Sequence, residues 1–413
     1  MQSHEIPLTQ RFCPQLLPIG LCKILRRRER SLVGKLYGRT ASGELGIWRQ
    51  NDGRTAIIWV YNLCCPITCT LSRKDDMVAY PTGVRFRGLN RAGAEYGDDW
   101  DGWTGQTFYT FPTATELDSE LAFYDDRGFN ALRFPISWER LQHELNGPLD
   151  PVYINQVLAF VNQANAAGWL IIIDLHNYNR YAAGAFNAAG VQVPTYKQRI
   201  FGDGFLDTSH LVDIWTKIAA MFLGSPDAVF NIMNEPHDFP VISDTWFSNS
   251  QSIIDAIRGT GANQFILVPN SRGSDADHWA TYAPNGGSLD SVAALAITDS
   301  ASNYAFDMHA YQDAPSSATS YVELLTPVTQ WAKDNGKQLF LSELGIANGA
   351  VNGELALDNL LDYLNNNNDV WVGWTTWNLA PYNITQFGNY TADGPEMTWY
   401  TAHLTPNIVS GGI

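Results

Sequence analysis

DPVYINQVLAFVNQANAAGWLIIIDLHNY, residues 150–178, changes its period partway along. In its first half Ile154, Val157, Leu158, Val161 and Ala164 recur at three- and four-residue steps, which places them on one face of a helix. From Trp169 to His176 the pattern becomes a short, nearly continuous apolar run, as expected of a strand covered on both faces. A helix running into a fully buried strand is the repeating unit of a parallel α/β sheet.

Outward from this unit the same alternation recurs. Apolar runs bounded by turn signals lie at 83–90, 129–135, 169–176, 228–234, 264–269, 304–309, 338–343 and 370–377, with mostly helical segments between them. Residues 207–223 repeat the helical pattern with Leu211, Ile214, Trp215, Ile218, Met221 and Phe222. Asp207, Ser243 and Ser320 stand where helix N-caps are expected. Eight such strands predict an α/β chain folded as a (β/α)8 TIM barrel. The competing doubly wound sheet would carry a glycine-rich phosphate turn after its first strand. The turn here is Asn90-Arg91-Ala92-Gly93-Ala94, which lacks that fingerprint.

Composition divides the 413 residues unevenly. The formal charge is −16, which argues against nucleic-acid and anionic-membrane partners. Residues 1–80 hold 12 Lys/Arg against 6 Asp/Glu and all five cysteines, Cys13, Cys22, Cys64, Cys65 and Cys69. Residues 81–413 hold 14 Lys/Arg against 36 Asp/Glu. The expected organisation is therefore an atypical basic N-terminal extension, 1–80, ahead of an acidic barrel, 81–413. The extension shows no secretory pattern, because its weak apolar run, 16–25, precedes the arginine cluster 26–30 instead of following it. A second apolar stretch, 57–71, is too short for a membrane span and contains Pro66.

In a barrel of this kind, chemistry gathers at the C-terminal ends of the strands. Arg133 ends the second strand, Asp174-Leu175-His176-Asn177-Tyr178 the third, and Asn234-Glu235-Pro236-His237 the fourth. Asp307-Met308-His309-Ala310-Tyr311 belongs to the sixth, Ser342-Glu343 to the seventh and Trp377 to the eighth. Any one of these could be an ordinary salt-bridge or packing residue, but together they place two carboxylates across one mouth. Paired acids suit glycosidic cleavage, in which one protonates the leaving oxygen while the other attacks the sugar carbon. Arg133 is the natural group to keep one of them ionised. A catalytic metal on His176, Glu235, His309 and Glu343 is disfavoured by the lack of a short-range ligand motif and by Arg133 and Asn234 beside them. No Gly-x-Ser-x-Gly elbow is present.

These residues resemble glycoside hydrolase family 5, in particular its endo-β-1,4-glucanase (cellulase) branch, known from fungal and bacterial enzymes. The resemblance runs from about Gly83 to the C-terminus. It rests on GVRFRGLN (83–90), LRFP (132–135), DLHNY (174–178), MNEPHD (233–238), DMHAY (307–311) and Ser342-Glu343. It implies that Glu235 is the general acid/base and Glu343 the nucleophile, and that no cofactor is needed. It also implies that Arg133, His176, Asn177, Tyr178, Asn234, His309, Tyr311 and Trp377 surround a β-glucan substrate. Tyr311 would donate to Glu343, Asn234 would bond the sugar 2-hydroxyl, and Trp377 would form a stacking floor. Ser342-Glu343-Leu344-Gly345 departs from the family's usual Thr-Glu-Thr-Gly setting but keeps the acid, and residues 81–413 contain no cysteine for the disulfides of fungal members. A monomer working outside the cell is expected. β-Mannan, xyloglucan and β-1,3-glucan are the alternative substrates, and a non-catalytic sugar-binding barrel is the alternative class.

Overall fold

In the computed structural model of the chain, residues 84–95, 109–186, 197–238, 240–312, 317, 319–346 and 351–379 are described, with the backbone of three earlier strands. The cysteines, the aromatics Tyr96, Trp100, Trp103, Phe108, Tyr382, Phe387, Tyr390 and Trp399, and the Asn-x-Thr triplets that begin at Asn383 and Asn389 lie outside the described residues. Two compact units are present, Met1–Met77 and Val78–Ile413. In the first, β1 (Leu36–Tyr37), β2 (Glu44–Arg49) and β3 (Thr55–Val60) form an antiparallel sheet in that order.

The second unit is a closed barrel of eight parallel strands: β4 (Phe86–Arg91), β5 (Ala131–Ile136), β6 (Leu170–Leu175), β9 (Ala228–Asn231), β10 (Phe265–Pro269), β11 (Tyr304–Gln312), β12 (Leu339–Ile346) and β13 (Trp371–Leu379). All eight apolar runs become barrel strands. Between β6 and β9 the chain adds an antiparallel hairpin, β7 (Arg180–Ala183) with β8 (Lys197–Ile200), which the apolar pattern did not reveal. Its strands are short and half polar, so nothing in their periodicity marks them. Tyr181 and Phe201 are buried at this hairpin, whereas Phe205 is exposed.

Helices cover the outside. The helix Pro151–Ala166 starts at Asp150, whose carboxylate accepts from the Tyr153 amide at 2.7 Å. The helix Thr208–Met221 starts at Asp207 as expected. The other two caps shift by one residue. Ile242 and Thr319 are the N-caps of Ser243–Gly259 and Ser320–Asn335, and neither makes a side-chain cap bond. The Ser243 hydroxyl turns instead toward Ser271, and that of Ser320 donates to the Ser317 carbonyl.

Strand alternation divides the core in two. Ile172, Val229, Leu267, Ala305 and Phe340 meet along the barrel axis, while Ile171 and Ile173 of the same β6 join the larger core under the helices. Truncating one such residue, as in Ile172→Ala, costs about 2–5 kcal/mol. Two positions further along several of the strands the same inward face becomes polar, because successive side chains alternate sides. Ile172 leads to Asp174, Val229 to Asn231, Ala131 to Arg133, and Ala305 to Asp307 and His309. The apolar layer thus supports a polar one, and the polar one supports the mouth.

Candidate active site

Arg133 is the centre of the polar layer and is fully buried. Its Nη1 donates to Glu343 Oε1 at 2.6 Å and to Asn90 Oδ1 at 2.9 Å. Its Nη2 donates to Asn234 Oδ1 at 2.7 Å and lies 3.1 Å from Asp174 Oδ1, and Nε donates to Asn231 Oδ1 at 3.1 Å. Burial would weaken the guanidinium's hold on its proton, but Asp174, Glu343 and Asp307 outweigh that effect and raise it. A buried cation held by four side-chain hydrogen bonds and an ion pair is a rigid reference point for the groups around it.

Glu343 stands within β12, where pairing with β11 shifts so that His309 faces Glu343 and the register skips Ser342. Such an irregularity re-aims a side chain. Besides Arg133, Glu343 accepts the Tyr311 hydroxyl on Oε2 at 2.5 Å. Burial works to raise the Glu343 carboxyl, but His309, Arg133, His176 and the Tyr311 hydroxyl outweigh it and hold it below the usual carboxylate range. Tyr311 itself is pushed well up by burial and by Glu343 and Glu235, so it remains a donor.

Glu235 follows β9 in a backbone conformation with φ of 37°, in the left-handed region that a non-glycine residue occupies only under constraint. His237 Nδ1 donates to the Glu235 carbonyl at 2.8 Å and braces the turn. The Glu235 carboxyl meets His309 Nδ1 at 2.8 Å, and its side chain is 27% exposed against 5% for Glu343. One carboxyl is therefore open to the cleft and the other lies at its base. Oxygens of the two lie within 4.8 Å of each other. Burial works to lower the His309 imidazole, yet Glu343, Glu235 and Asp307 outweigh it and raise it to about 9.

On the other wall, His176 Nδ1 contacts Asp174 Oδ2 at 2.6 Å and Nε2 meets the Tyr178 hydroxyl at 3.1 Å. The Asn234 amide approaches the same Nε2 at 3.4 Å. Trp377 stacks parallel to the His176 ring, with centroids 5.3 Å apart and 10° between planes. The mouth thus brings together Arg133, His176, Tyr178, Asn234, Glu235, His309, Tyr311, Glu343 and Trp377. Asn177 is the exception. Its side chain is buried and inward-facing to the fold, accepting from the Trp138 amide at 2.8 Å and donating to Glu139 at 2.7 Å. Glu139 also accepts from the Ala182 amide of the hairpin, so Asn177 helps tie that hairpin to the barrel.

Sequence reasoning assigned no role of their own to Asn90, Asn231, Asp307 and Glu95. The first three were accessible by stepping back two residues along a strand from a motif residue or counting from a neighbouring strand's register. Glu95 lies in the turn after β4, accepts the Gly93 amide at 2.7 Å and feels His176 and Asp174. Burial pushes its carboxyl up to about 7, more than His176 lowers it.

A cavity of about 480 Å³ opens on the Glu235 side, bordered by His309, Tyr311, Arg272, Asp275 and Tyr282. Single donor atoms of Glu235, His309 and Glu343 come near enough to share a cation, but both Glu343 oxygens already accept from Arg133 and Tyr311. That trio lacks the open ligand set a divalent cation takes. At the rim, Asp275, Asp277 and His278 also converge, with His278 Nδ1 2.9 Å from Asp275 Oδ2.

Residues 89–380 match the model of the cellulase family, glycosyl hydrolase family 5. The manganese dependent endoglucanase Eg5A of Phanerodontia chrysosporium is 30% identical over 366 residues, 84% of this chain and 87% of that protein. Endoglucanase EG-II of Hypocrea jecorina is 28% identical over 356 residues, 80% of this chain and 78% of its own. Among solved structures, the endo-β-1,4-glucanase of Xanthomonas axonopodis pv. citri superposes with a TM-score of 0.67 at 30% identity, covering 78% of this chain and 99% of that one. A structure of XacCel5A in complex with cellopentaose gives 0.64 at 30% identity with the same coverage. On this family match, and with two carboxylates facing each other across the barrel mouth, the chain belongs to glycosyl hydrolase family 5, the cellulases.

Proposed function

We propose that Glu343 is the nucleophile and Glu235 the general acid/base with which this retaining endo-β-1,4-glucanase cleaves internal bonds of cellulose or a related β-glucan. The observation that carries the assignment is the carboxyl pair, whose oxygens lie within 4.8 Å. Direct attack by one carboxylate needs a gap of roughly 5–5.5 Å between the groups, whereas inversion leaves roughly 6.5–9.5 Å for a water. In the first step Glu235 gives its proton to the glycosidic oxygen as the bond to the anomeric carbon breaks. A Glu343 oxygen forms the new bond to that carbon. In the second step water attacks the same carbon, Glu235 takes its proton, and Glu343 leaves as a carboxylate.

The division of labour follows the surroundings. The buried, ionised Glu343 fits the nucleophile, and the more open Glu235 fits the group that meets leaving oxygen and water in turn. Arg133 orders Glu343 and Asn234 together, and so fixes the nucleophile relative to the amide that would bond the sugar 2-hydroxyl. Trp377 and His176 offer a flat wall to the ring in the cleaving position. The cavity beside Glu235 suits the leaving part of the chain. Because a polymer of this kind is met outside the cell, we place the working enzyme there. Among the described residues no helix is long and apolar enough to cross a membrane.

Glu235→Gln and Glu343→Gln test the assignment on carboxymethylcellulose. Loss of the acid/base is expected to lower the rate about 10²–10⁴-fold. Loss of the nucleophile is expected to abolish release of reducing ends, with cello-oligosaccharide binding retained in both variants. Hydrolysis at the wild-type rate in either variant would refute it.

A further inference from the structure

Asp307 is a fully buried carboxyl that the two-step reaction does not use. It lies two residues before His309 on β11, on the same inward face. Its Oδ2 is 3.8 Å from His309 Nε2 and accepts the Asn231 amide at 3.0 Å, while Oδ1 accepts no hydrogen bond among the described residues. The Ser342 hydroxyl lies 3.0 Å from the same His309 Nε2. On its other side His309 presents Nδ1 to Glu235 at 2.8 Å. The imidazole therefore stands between the open carboxyl of the cleft and a sealed one beneath it.

We propose that Asp307 is a positioning residue for proton donation: its buried charge behind Nε2 holds His309 in the doubly protonated form, whose Nδ1 proton Glu235 passes to the leaving oxygen. The inference rests on the assignment of Glu235 as acid/base. The transfer is a relay of one proton, from Nδ1 to Glu235 Oε1 as the Glu235 proton goes to the glycosidic oxygen. In the second step the proton taken from water returns along the same contact, so the pair ends as it began. Without an anion beneath it, the imidazole would give up this proton at a lower pH, and Glu235 would face a neutral nitrogen.

The other groups facing His309 are Glu235 after β9, Glu343 and Ser342 on β12, and Tyr311 on its own strand. The turn after β10 contributes its backbone, with Ser274 O accepting from the His309 amide at 2.7 Å, and Asp275 is next in that turn. Arg133 on β5 faces both Asp307 and Glu343; burial pushes the Asp307 carboxyl up, more than His309 and Arg133 lower it, whereas the same two cations hold Glu343 down against burial. Glu343, Glu235 and Asp307 act in the same direction on the imidazole, which burial alone would lower and which they raise to about 9. Of the three, only Asp307 has no bond to make or break in the reaction.

The test compares kcat/KM against pH for the full-length protein and Asp307→Asn on two substrates. Cellopentaose needs a proton on its leaving oxygen, and 2,4-dinitrophenyl β-cellobioside does not. The expected result is an alkaline limb on cellopentaose that moves down by about one pH unit, a tenfold loss above its midpoint. The aryl glycoside should show no such shift. A limb that stays in place, or a loss equal at every pH and on both substrates, overturns the proposal. Imidazole NMR of the wild-type protein keeps the question decidable if Asp307→Asn does not fold: His309 must titrate on the alkaline side of pH 8, and a midpoint at or below 7 refutes the role. Glu235→Gln separates the two readings. If that variant still cleaves cellopentaose at the wild-type rate, the acid/base assignment fails. If it is inactive while Asp307→Asn is unshifted, only the role of Asp307 fails.

Discussion

Tyr311 shows how much a single hydroxyl can do in this site. Its bond to Glu343 at 2.5 Å is one of the influences that lower the nucleophile's carboxyl. Tyr311→Phe removes a lowering influence, so Glu343 should protonate at a higher pH and the acid limb of activity should move up. A kcat loss of about 10–100-fold is expected, read from a pH–rate profile, and an unmoved acid limb would contradict the account. His309 makes a prediction of the opposite sign for stability. Its folded value of about 9 lies above the 6.5 of the free side chain. Its contribution is therefore complete below pH 6.5 and is lost as the pH rises through 9, on the order of 3 kcal/mol. Urea unfolding at pH 6 and 9.5 should show a larger alkaline loss for wild type than for His309→Gln, and equal losses would rule this out. The positive charge beside Glu343 comes from Arg133 and His309, so hydrolysis in excess chelator should equal that in buffer. Activity that vanished and returned with added divalent metal would refute that point.

At the scale of the element, the site depends on where β11 and β12 slip against each other. The shift opposite His309 lets Glu343 face the mouth. Gly345, two residues on, leaves room for the Tyr311 ring, because a Cβ there would lie 2.7 Å from Tyr311 Cε1. Gly345→Ala should displace the ring and lower kcat by about tenfold or more, with a melting temperature close to wild type. Unchanged kcat would show that the ring can move aside without cost. The same elements show what the sequence could reveal. Continuous apolar runs announced all eight strands, because a strand buried on both faces has few other compositions. Motif residues at strand ends announced the mouth. The β7–β8 hairpin was not legible, since four-residue strands of mixed polarity carry no period. Asn177 lies apart from the mouth groups that surround His176, because sequence adjacency says nothing about side. Alternation sends neighbouring residues in opposite directions, and Asn177 met Glu139 instead. Asp307 and Asn231 were given no role for the converse reason: the face they share with the site follows from strand alternation and not from the motif.

The whole chain joins a basic segment to an acidic enzyme, and the family match begins at residue 89. Every residue assigned a role here lies in the unit Val78–Ile413. We propose that residues 1–76 take no part in the chemistry. A protein lacking them should fold with the wild-type melting temperature and hydrolyse cellopentaose with unchanged kcat/KM, and a truncated form that failed to fold or lost activity would contradict this. The acidity of the barrel unit argues that a neutral polymer is held by ring faces and hydroxyl bonds, so cellopentaose affinity should change little between low and moderate salt. The central claim is that Glu343 bonds to the sugar. It is tested by incubating the enzyme with 2,4-dinitrophenyl 2-deoxy-2-fluoro-β-cellobioside, which slows breakdown of the glycosyl-enzyme, and mapping the modified peptide by mass spectrometry. One added fluorocellobiosyl group per chain, on Glu343, is the predicted result. A label on any other residue, or full turnover with no labelled protein, would contradict the account.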